Sequence, residues 1–414
     1  MIEKLKERVY LLAKRYSTKV GLDLPYFIKG GFWLSVSQFF NTLKGFILSV
    51  ALANMLSKES LGIYYFVMTI LIFVSIFALP GMKTAVIHAV TRGYEGTYFK
   101  ALIEVFKYSW IGSLVLLGLS LYEYYRGNFN LFIIFIIFSF LFPLYSISEY
   151  YIYFFNGKKR FDILAKITFL FAVLSILLII VCLLVTKSIF WIILITVLSQ
   201  ILICGYFSIF YIKKFIKYDK IDFSSIEFGK NISKSIALSR IASSFDSLFI
   251  PHFLNFSDLA VFRVIMILPS QFELLVYTLS SLILPKMTSS NLNKRDILIH
   301  LKKFLFIIIG LISFCIILAP IVYYIFYPKY FEYTWLSLLY TLTFINFLCL
   351  LPYNYLIKEK KSKLINKLNT LSALLLFILS FIGIIYYGVF GAVLARVIYS
   401  IIRTVFIIVL FLRI

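Results

Sequence analysis

The sequence predicts an all-α polytopic membrane protein, and three observations carry that prediction. Hydrophobic residues make up 62% of the 414 and charged residues only 14%, with a mean hydropathy of +0.97, which excludes a soluble domain. Apolar runs of about 20 residues, the length that crosses hydrocarbon as a helix, recur about twelve times along the chain. Lys and Arg alternate between rich and poor loops. The ten-residue alternating segments of an outer-membrane barrel are absent.

Spans are expected at 30–54, 61–80, 101–122, 130–155, 163–185, 188–212, 234–253, 258–284, 304–326, 333–357, 364–387 and 390–412. With the N-terminus inside, cytoplasmic segments and the inner ends of the spans next to them hold 31 of the 41 Lys and Arg, outer loops hold four (Lys58, Arg126, Lys187, Lys329), and six lie deeper within spans. That split follows the positive-inside rule and places both termini in the cytoplasm of a multi-pass protein of the cytoplasmic membrane. The net charge of +23 therefore reads as topology and attraction to anionic headgroups, not as a nucleic-acid site. Cys182, Cys204, Cys315 and Cys349 are isolated in apolar runs, without the spacing of a metal site or a redox pair.

In chain order, residues 1–29 open with Ile2, Leu5, Val9, Leu12 and Tyr16 interleaved with Lys and Arg. This is the pattern of a basic amphipathic helix in the inner interface. The first span is too polar for a lipid-facing helix: Gln38, Asn41, Gly45 and Ser49 share a face, with Lys44 beside it. A lysine so deep needs a partner, a bound anion or loss of its charge. Leu79-Pro80-Gly81-Met82 ends the second span, and Pro143, Pro269, Pro320 and Pro352 mark candidate kinks. Residues 213–233 form a polar cytoplasmic linker between an N-lobe at 30–212 and a C-lobe at 234–414.

The seventh span, in the stretch from Gly229 to Asn255, carries Arg240 and Asp246. A central Arg or Asp costs about 2.5–3.5 kcal/mol on insertion scales. Ser235, Ser239, Ser243 and Asp246 fall on one side, opposite Leu238, Ile241, Phe245 and Phe249. Two readings are open: a closely packed inner helix, or a face lining a polar cavity.

The halves look related. An offset of 198 lays Leu56–Gly62 on Leu254–Ala260, Gly31 on Gly229 and Asn41 on Ser239, and an LPxM exit at Pro80 and Met82 recurs at Pro285 and Met287 after a further seven residues. Six spans per half make such repeats parallel, about an axis along the membrane normal.

Enzymatic chemistry finds no support. The outer loops are short, and there is no D-x-D, Walker loop, H-E-x-x-H or Ser/His/Asp cluster. His88, His252 and His300 lie on separate elements, so neither a metal site nor a cofactor is expected. What remains is charge within the spans: Lys44, Lys107, Arg240, Arg263, Arg396 and Arg403 against Glu104, Glu149, Asp246 and Glu273. Arg396 and Arg403, seven apart, share one helical face. A cationic, partly hydrated interior favours an anionic substrate, because guanidinium and ammonium groups replace the water lost by phosphate oxygens. The candidate substrate-binding cations are thus Lys44, Arg240, Arg263, Arg396 and Arg403. Gln38, Asn41, Ser239 and Ser243 are the candidate polar face, and Asp246 and Glu273 the candidates for ion coupling.

LPYFIKGGFWLSVSQFF, SVALANMLSKESLGIYYFVMTI and FALPGMKTAVIHAVTRGYEG, within residues 24–96, resemble the oligosaccharide flippases of polysaccharide biosynthesis. Those belong to the multidrug/oligosaccharidyl-lipid/polysaccharide exporter superfamily. The resemblance implies two six-helix lobes around a central cavity faced by spans one and seven. It also implies translocation of polyprenyl-(pyro)phosphate-linked oligosaccharide by alternating access. Lipid-linked oligosaccharide and membrane lipids would be the partners, with a glycan polymerase and other assembly proteins beyond them. The family has no strict site motif, so the candidate residues above rest on burial cost and helical phase alone. A drug or cation antiporter of the same fold, and a non-transporting scaffold of a glycan assembly complex, are the alternatives.

Overall fold

The computed structural model describes residues 24–289, 294–358 and 362–413. The N-terminal amphipathic helix expected before Leu24 lies outside them. Among the described residues the chain is helical throughout, with no strand. Nine stretches of these residues are long and apolar enough to span a membrane, and one of them, Lys367–Arg413, is 47 residues long. That stretch is two spans: its helix, Ser362–Arg413, breaks at Gly388. Two further long helices, Phe223–Phe253 and Phe256–Ser289, are those of the polar seventh and eighth spans. Together these account for the twelve spans expected.

In chain order the helices are α1 (Leu24–Met55), α2 (Lys58–Val74), α3 (Met82–Thr91), α4 (Thr97–Tyr125), α5 (Phe129–Ser148), α6 (Tyr151–Gly157), α7 (Phe161–Val185), α8 (Ile189–Ser199) and α9 (Gly205–Ile209). They continue with α10 (Phe223–Phe253), α11 (Phe256–Ser289), α12 (Lys294–Phe326), α13 (Thr334–Tyr340), α14 (Leu350–Lys358) and α15 (Ser362–Arg413). The 198-residue offset reappears in the helix boundaries: α1 ends at Met55 and α10 at Phe253, and α2 begins at Lys58 and α11 at Phe256. The second LPxM sequence does not act as the first does. Leu79 takes a left-handed φ of 49° before Pro80, whereas α11 runs on through Pro285 and Met287 to Ser289. Proline removes one helical hydrogen bond and is tolerated within long membrane helices, so its presence alone does not set an exit.

The chain forms two compact units that do not follow chain order: Met1–Leu48 with Val74–Ile236, and Ser49–Phe73 with Ala237–Ile414. The divisions fall inside α1, at the end of α2, and inside α10. Residues 213–233, read from sequence as a linker between lobes, are thus part of the first unit.

The first unit is built on aromatic packing, with Phe135, Phe138, Phe142, Tyr98, Phe154 and Phe155 fully buried. Gly112 of α4 lets Phe142 of α5 approach, alongside Val74. The fourth span breaks between α5 and α6, a few residues beyond Pro143. The groups freed there are satisfied by one side chain: Ser208 Oγ donates to the Ser148 carbonyl at 2.6 Å and accepts from the Tyr151 amide at 3.0 Å. Such local repair is what lets a helix break inside hydrocarbon. The sixth span widens into one π-helical turn at Gln200–Cys204.

The segment leading into α10 is anchored on the turn after α3. Asp222 caps α10, its Oδ1 accepting the Ser224 and Ser225 amides at 3.1 and 3.2 Å. Its Oδ2 pairs with Arg92 at 2.5 Å, and its own amide donates to Thr97 Oγ1 at 2.8 Å. Buried Glu95 pairs with Lys158 and accepts the Lys217 amide at 2.6 Å. Further along, Gly81 donates its amide to Ser233 Oγ at 2.9 Å. Side chains on either of these glycines, Gly81 or Gly229, would overlap the facing helix.

The second unit is pinned at one end by short polar contacts. Lys329 Nζ donates to the Asn54 and Leu56 carbonyls at the C-terminus of α1, at 2.6 and 2.9 Å. A cation there satisfies carbonyls the helix leaves unpaired. Lys58 pairs with Glu332 at 3.1 Å, and Ser49 and Tyr327 share a hydrogen bond of 2.7 Å. Gly62 of α2 lies against the Phe256 backbone, where no Cβ fits. Tyr323, buried, donates to the Val264 and Ile265 carbonyls at 3.0 Å. The hairpin within α15 turns at Gly388, whose φ of 59° is left-handed, and Gly383 and Gly391 bring its two arms into backbone contact.

Candidate functional site

The interior of the second unit holds Asp246 of the seventh span, Arg263 and Glu273 of the eighth and Arg396 of the twelfth together. Asp246 of α10 is 1% exposed, and its Oδ2 accepts from Nε of Arg396 on α15. Its other oxygen has no hydrogen-bond partner among the described residues. Arg396 also lies 5.9 Å from the Phe262 ring centroid, within reach of a cation–π contact. Tyr340 and Glu273 are its further electrostatic neighbours. Arg263 of α11 donates to Thr69 Oγ1 of α2 at 2.7 Å, while its buried Nε is without a partner among the described residues. Glu273 accepts from Thr343 Oγ1 at 3.2 Å.

One face further along α15 carries more buried polar contacts. Asn346 Nδ2 donates to Ser400 Oγ at 2.7 Å, and Cys349 Sγ to Thr404 Oγ1 at 3.3 Å. Arg403 is half-buried there, with a buried Nε that makes no hydrogen bond among the described residues. Guanidinium is a five-donor group, and an unpaired buried donor is costly unless something accepts from it. Arg263 and Arg403 are in this condition; Arg396 is instead engaged by a carboxylate of its own unit.

In the first unit, α1 presents two different faces. Ser37 donates to Thr168 at 3.0 Å and Phe40 meets Phe169 edge-on, so this side packs on α7. Lys44 falls on the same side, its Nζ 3.9 Å from the Phe171 ring centroid, with Cys204 and Glu149 as electrostatic neighbours. It makes no ion pair among the described residues. The adjacent face is open: Asn41 is exposed, and nothing lies within 4 Å of a Cβ built on Gly31 or Gly45. Gln38, at its edge, reaches Thr42 Oγ1 at 3.5 Å.

Sequence reasoning thus singled out residues that the fold gathers unevenly. Asp246, Arg263, Glu273 and Arg396 come together in one network. Arg403 lies two turns along the same helix face, Lys44 belongs to the first unit, and Arg240 is half-buried on α10 with interactions of its own. The side chains of Ser239 and Ser243 lie outside the described residues. Glu104 pairs with Lys230 at 2.6 Å and with Lys100 at 3.8 Å. The network's neutral members, Thr69, Tyr340 and Thr343, carried no signal in the sequence, because Thr and Tyr are common in apolar spans.

A family model described as "Polysaccharide biosynthesis protein" matches residues 27–290. Comparison with curated proteins finds no match. Among solved structures, the chain is similar to the lipid II flippase MurJ in an inward closed conformation, with TM-score 0.64 and 19% identity over 90% of this chain and 86% of that one. It is similar to the MATE multidrug transporter DinF-BH, with TM-score 0.68 and 13% identity over 94% and 95%. An outward-facing multidrug resistance MATE family transporter of the MOP superfamily gives TM-score 0.59 and 14% identity over 94% and 95%. At these identities the likeness is one of fold, and it agrees with the all-α, twelve-span architecture. The family match covers well over half of the chain: this protein belongs to the polysaccharide biosynthesis protein family.

Proposed function

We propose that the protein is a flippase that carries polyprenyl-(pyro)phosphate-linked oligosaccharide across the cytoplasmic membrane for cell-surface polysaccharide synthesis. The observation that carries this reading is the charge balance of the spans. In the second unit Arg263, Arg396 and Arg403 stand against Asp246 and Glu273, and two of those arginines retain a buried unpaired Nε. Such groups are suited to a phosphate, which accepts several charge-assisted hydrogen bonds at once. Lys44, held by a ring rather than a carboxylate, is a further cation available to an anionic headgroup. In this reading Arg240, Arg263 and Arg403 of the second unit meet the (pyro)phosphate during alternating access. The sugars cross through a hydrated interior and the prenyl tail stays in lipid.

A drug antiporter of the same fold would need carboxylates open to a cationic cargo. The charge of Asp246 is balanced by its ion pair with Arg396, which favours the anionic substrate and leaves Glu273 as the candidate for ion coupling. The test is reconstitution of the full chain in vesicles with a fluorescent polyprenyl-pyrophosphate oligosaccharide. Time-dependent movement of the fluorophore between leaflets supports the reading. Efflux of a cationic dye with no glycolipid movement overturns it.

A further inference from the structure

The geometry points to a binding site for an anionic phospholipid headgroup at the basic end of α7, in a groove of the first unit. The groove has a volume of about 340 Å³, at the lower end of ligand-sized pockets of about 300–1,000 Å³. Two helical faces wall it. One is Ile163, Ile167 and Leu170 of α7; the other is Phe207, Tyr211 and Phe215, spaced four apart from α9 into the 3-10 turn Tyr211–Phe215. Successive rings of the second wall meet at centroid distances of 5.3 Å, so it is a continuous aromatic surface.

The mouth of the groove is cationic. Arg160 and Lys166 line it, and Lys214 Nζ lies 5.7 Å from the ring of Tyr211. Asp162, the acidic residue of the lining, grips Arg160 from Nε to Oδ1 at 2.9 Å and from Nη2 to Oδ2 at 3.0 Å. That clamp holds the guanidinium at the mouth with its remaining donors outward. Two lining cations against one carboxylate, with Lys214 beside Tyr211, leave the mouth positive.

Lys166 explains why the occupant is a lipid and not a soluble anion. It is an exposed lysine on a helix that carries no further charge from there to Val185, six residues beyond Arg160 and so about 9 Å deeper along the axis. A lysine at that depth extends its ammonium back toward the headgroups. Charged mouth, apolar aromatic wall and an opening onto exposed Leu170 together match an amphiphile: phosphate at Arg160, Lys166 and Lys214, acyl chain along Leu170 and Phe207. The positive-inside distribution puts this end in the inner leaflet, where basic pockets between helices hold anionic headgroups. The inference is independent of what the protein transports.

The test uses the full-length protein purified in detergent, with retained lipid counted by native mass spectrometry after adding phosphatidylglycerol or phosphatidylcholine. Phosphatidylglycerol should be retained over phosphatidylcholine. Arg160→Gln with Lys166→Gln should weaken its retention by about fivefold per charge removed, while Lys187→Gln in a distant loop leaves it unchanged. On the unaltered protein, a photo-crosslinking phosphatidylglycerol should label peptides covering 160–170 and 207–215, and inorganic phosphate should not displace it. Equal retention of the two lipids, an unchanged double variant, labelling elsewhere, or displacement by inorganic phosphate would each overturn the assignment.

Discussion

Arg396 reaches across from α15 to the buried carboxylate of Asp246 on α10, and this ion pair ties the twelfth span to the seventh. Breaking a buried pair by removing one partner costs about 3–5 kcal/mol, because the other charge is left uncompensated. Asp246→Asn should therefore lower the melting temperature of the detergent-purified protein sharply. Asp246→Asn combined with Arg396→Gln should recover part of the loss, which the two melting curves will show.

Gly62 of α2 lies on the Phe256 backbone of α11, a contact between corresponding regions of the two repeats. Gly62→Ala adds a methyl where only backbone faces it, so the helix must shift. Overpacking of this kind costs about 1–3 kcal/mol, and the folded yield on size-exclusion chromatography should fall accordingly. Ala at Gly45, with open space around it, should leave the yield unchanged.

Asp222 fixes the start of α10 to the first unit. Hydrogen bonds from the Ser224 hydroxyl, then the Ser225 hydroxyl and amide, with Arg92 nearby, hold its carboxyl down to about 2 from 3.8. A carboxylate whose pKa is depressed on folding stabilises above its unfolded pKa and loses that stabilisation as pH falls through the folded one. The stability difference between the unaltered protein and Asp222→Ala, about 1 kcal/mol for loss of a helix cap and read from melting curves, should be constant above about pH 5. It should shrink as the pH falls from about 4 toward 2.

Gly388 makes the turn between the last two spans with a left-handed φ. With ψ at −138° the residue sits in a region open essentially to glycine alone, and replacement by Ala costs about 1–3 kcal/mol. A modest drop in melting temperature, with transport retained in the surviving fraction, is the expected outcome.

Much of the architecture was legible in the sequence because the bilayer imposes it. Span lengths, the repeat offset and the polar first and seventh spans follow from hydropathy and helical phase. The division of the chain was less legible. Glu95, Thr97 and Asp222 dock the supposed linker on the first unit, and such long-range hydrogen bonds leave no periodic trace. Asp246 and Arg396 were each visible as costly intramembrane charges, but nothing in one sequence says that residues 150 apart are partners. Lys44 stood out for its charge, whereas its seat on Phe171 depends on the packing of α1 against α7.

If cations of the spans hold the phosphate of a lipid-linked sugar, glycolipid translocation depends on their charge. In vesicles loaded with labelled polyprenyl-pyrophosphate oligosaccharide, Arg403→Gln and Lys44→Gln should each slow translocation about tenfold or more, the loss of one charge-assisted contact, with Arg403→Lys intermediate. Variants that fold normally and move the glycolipid at the unaltered rate would contradict it.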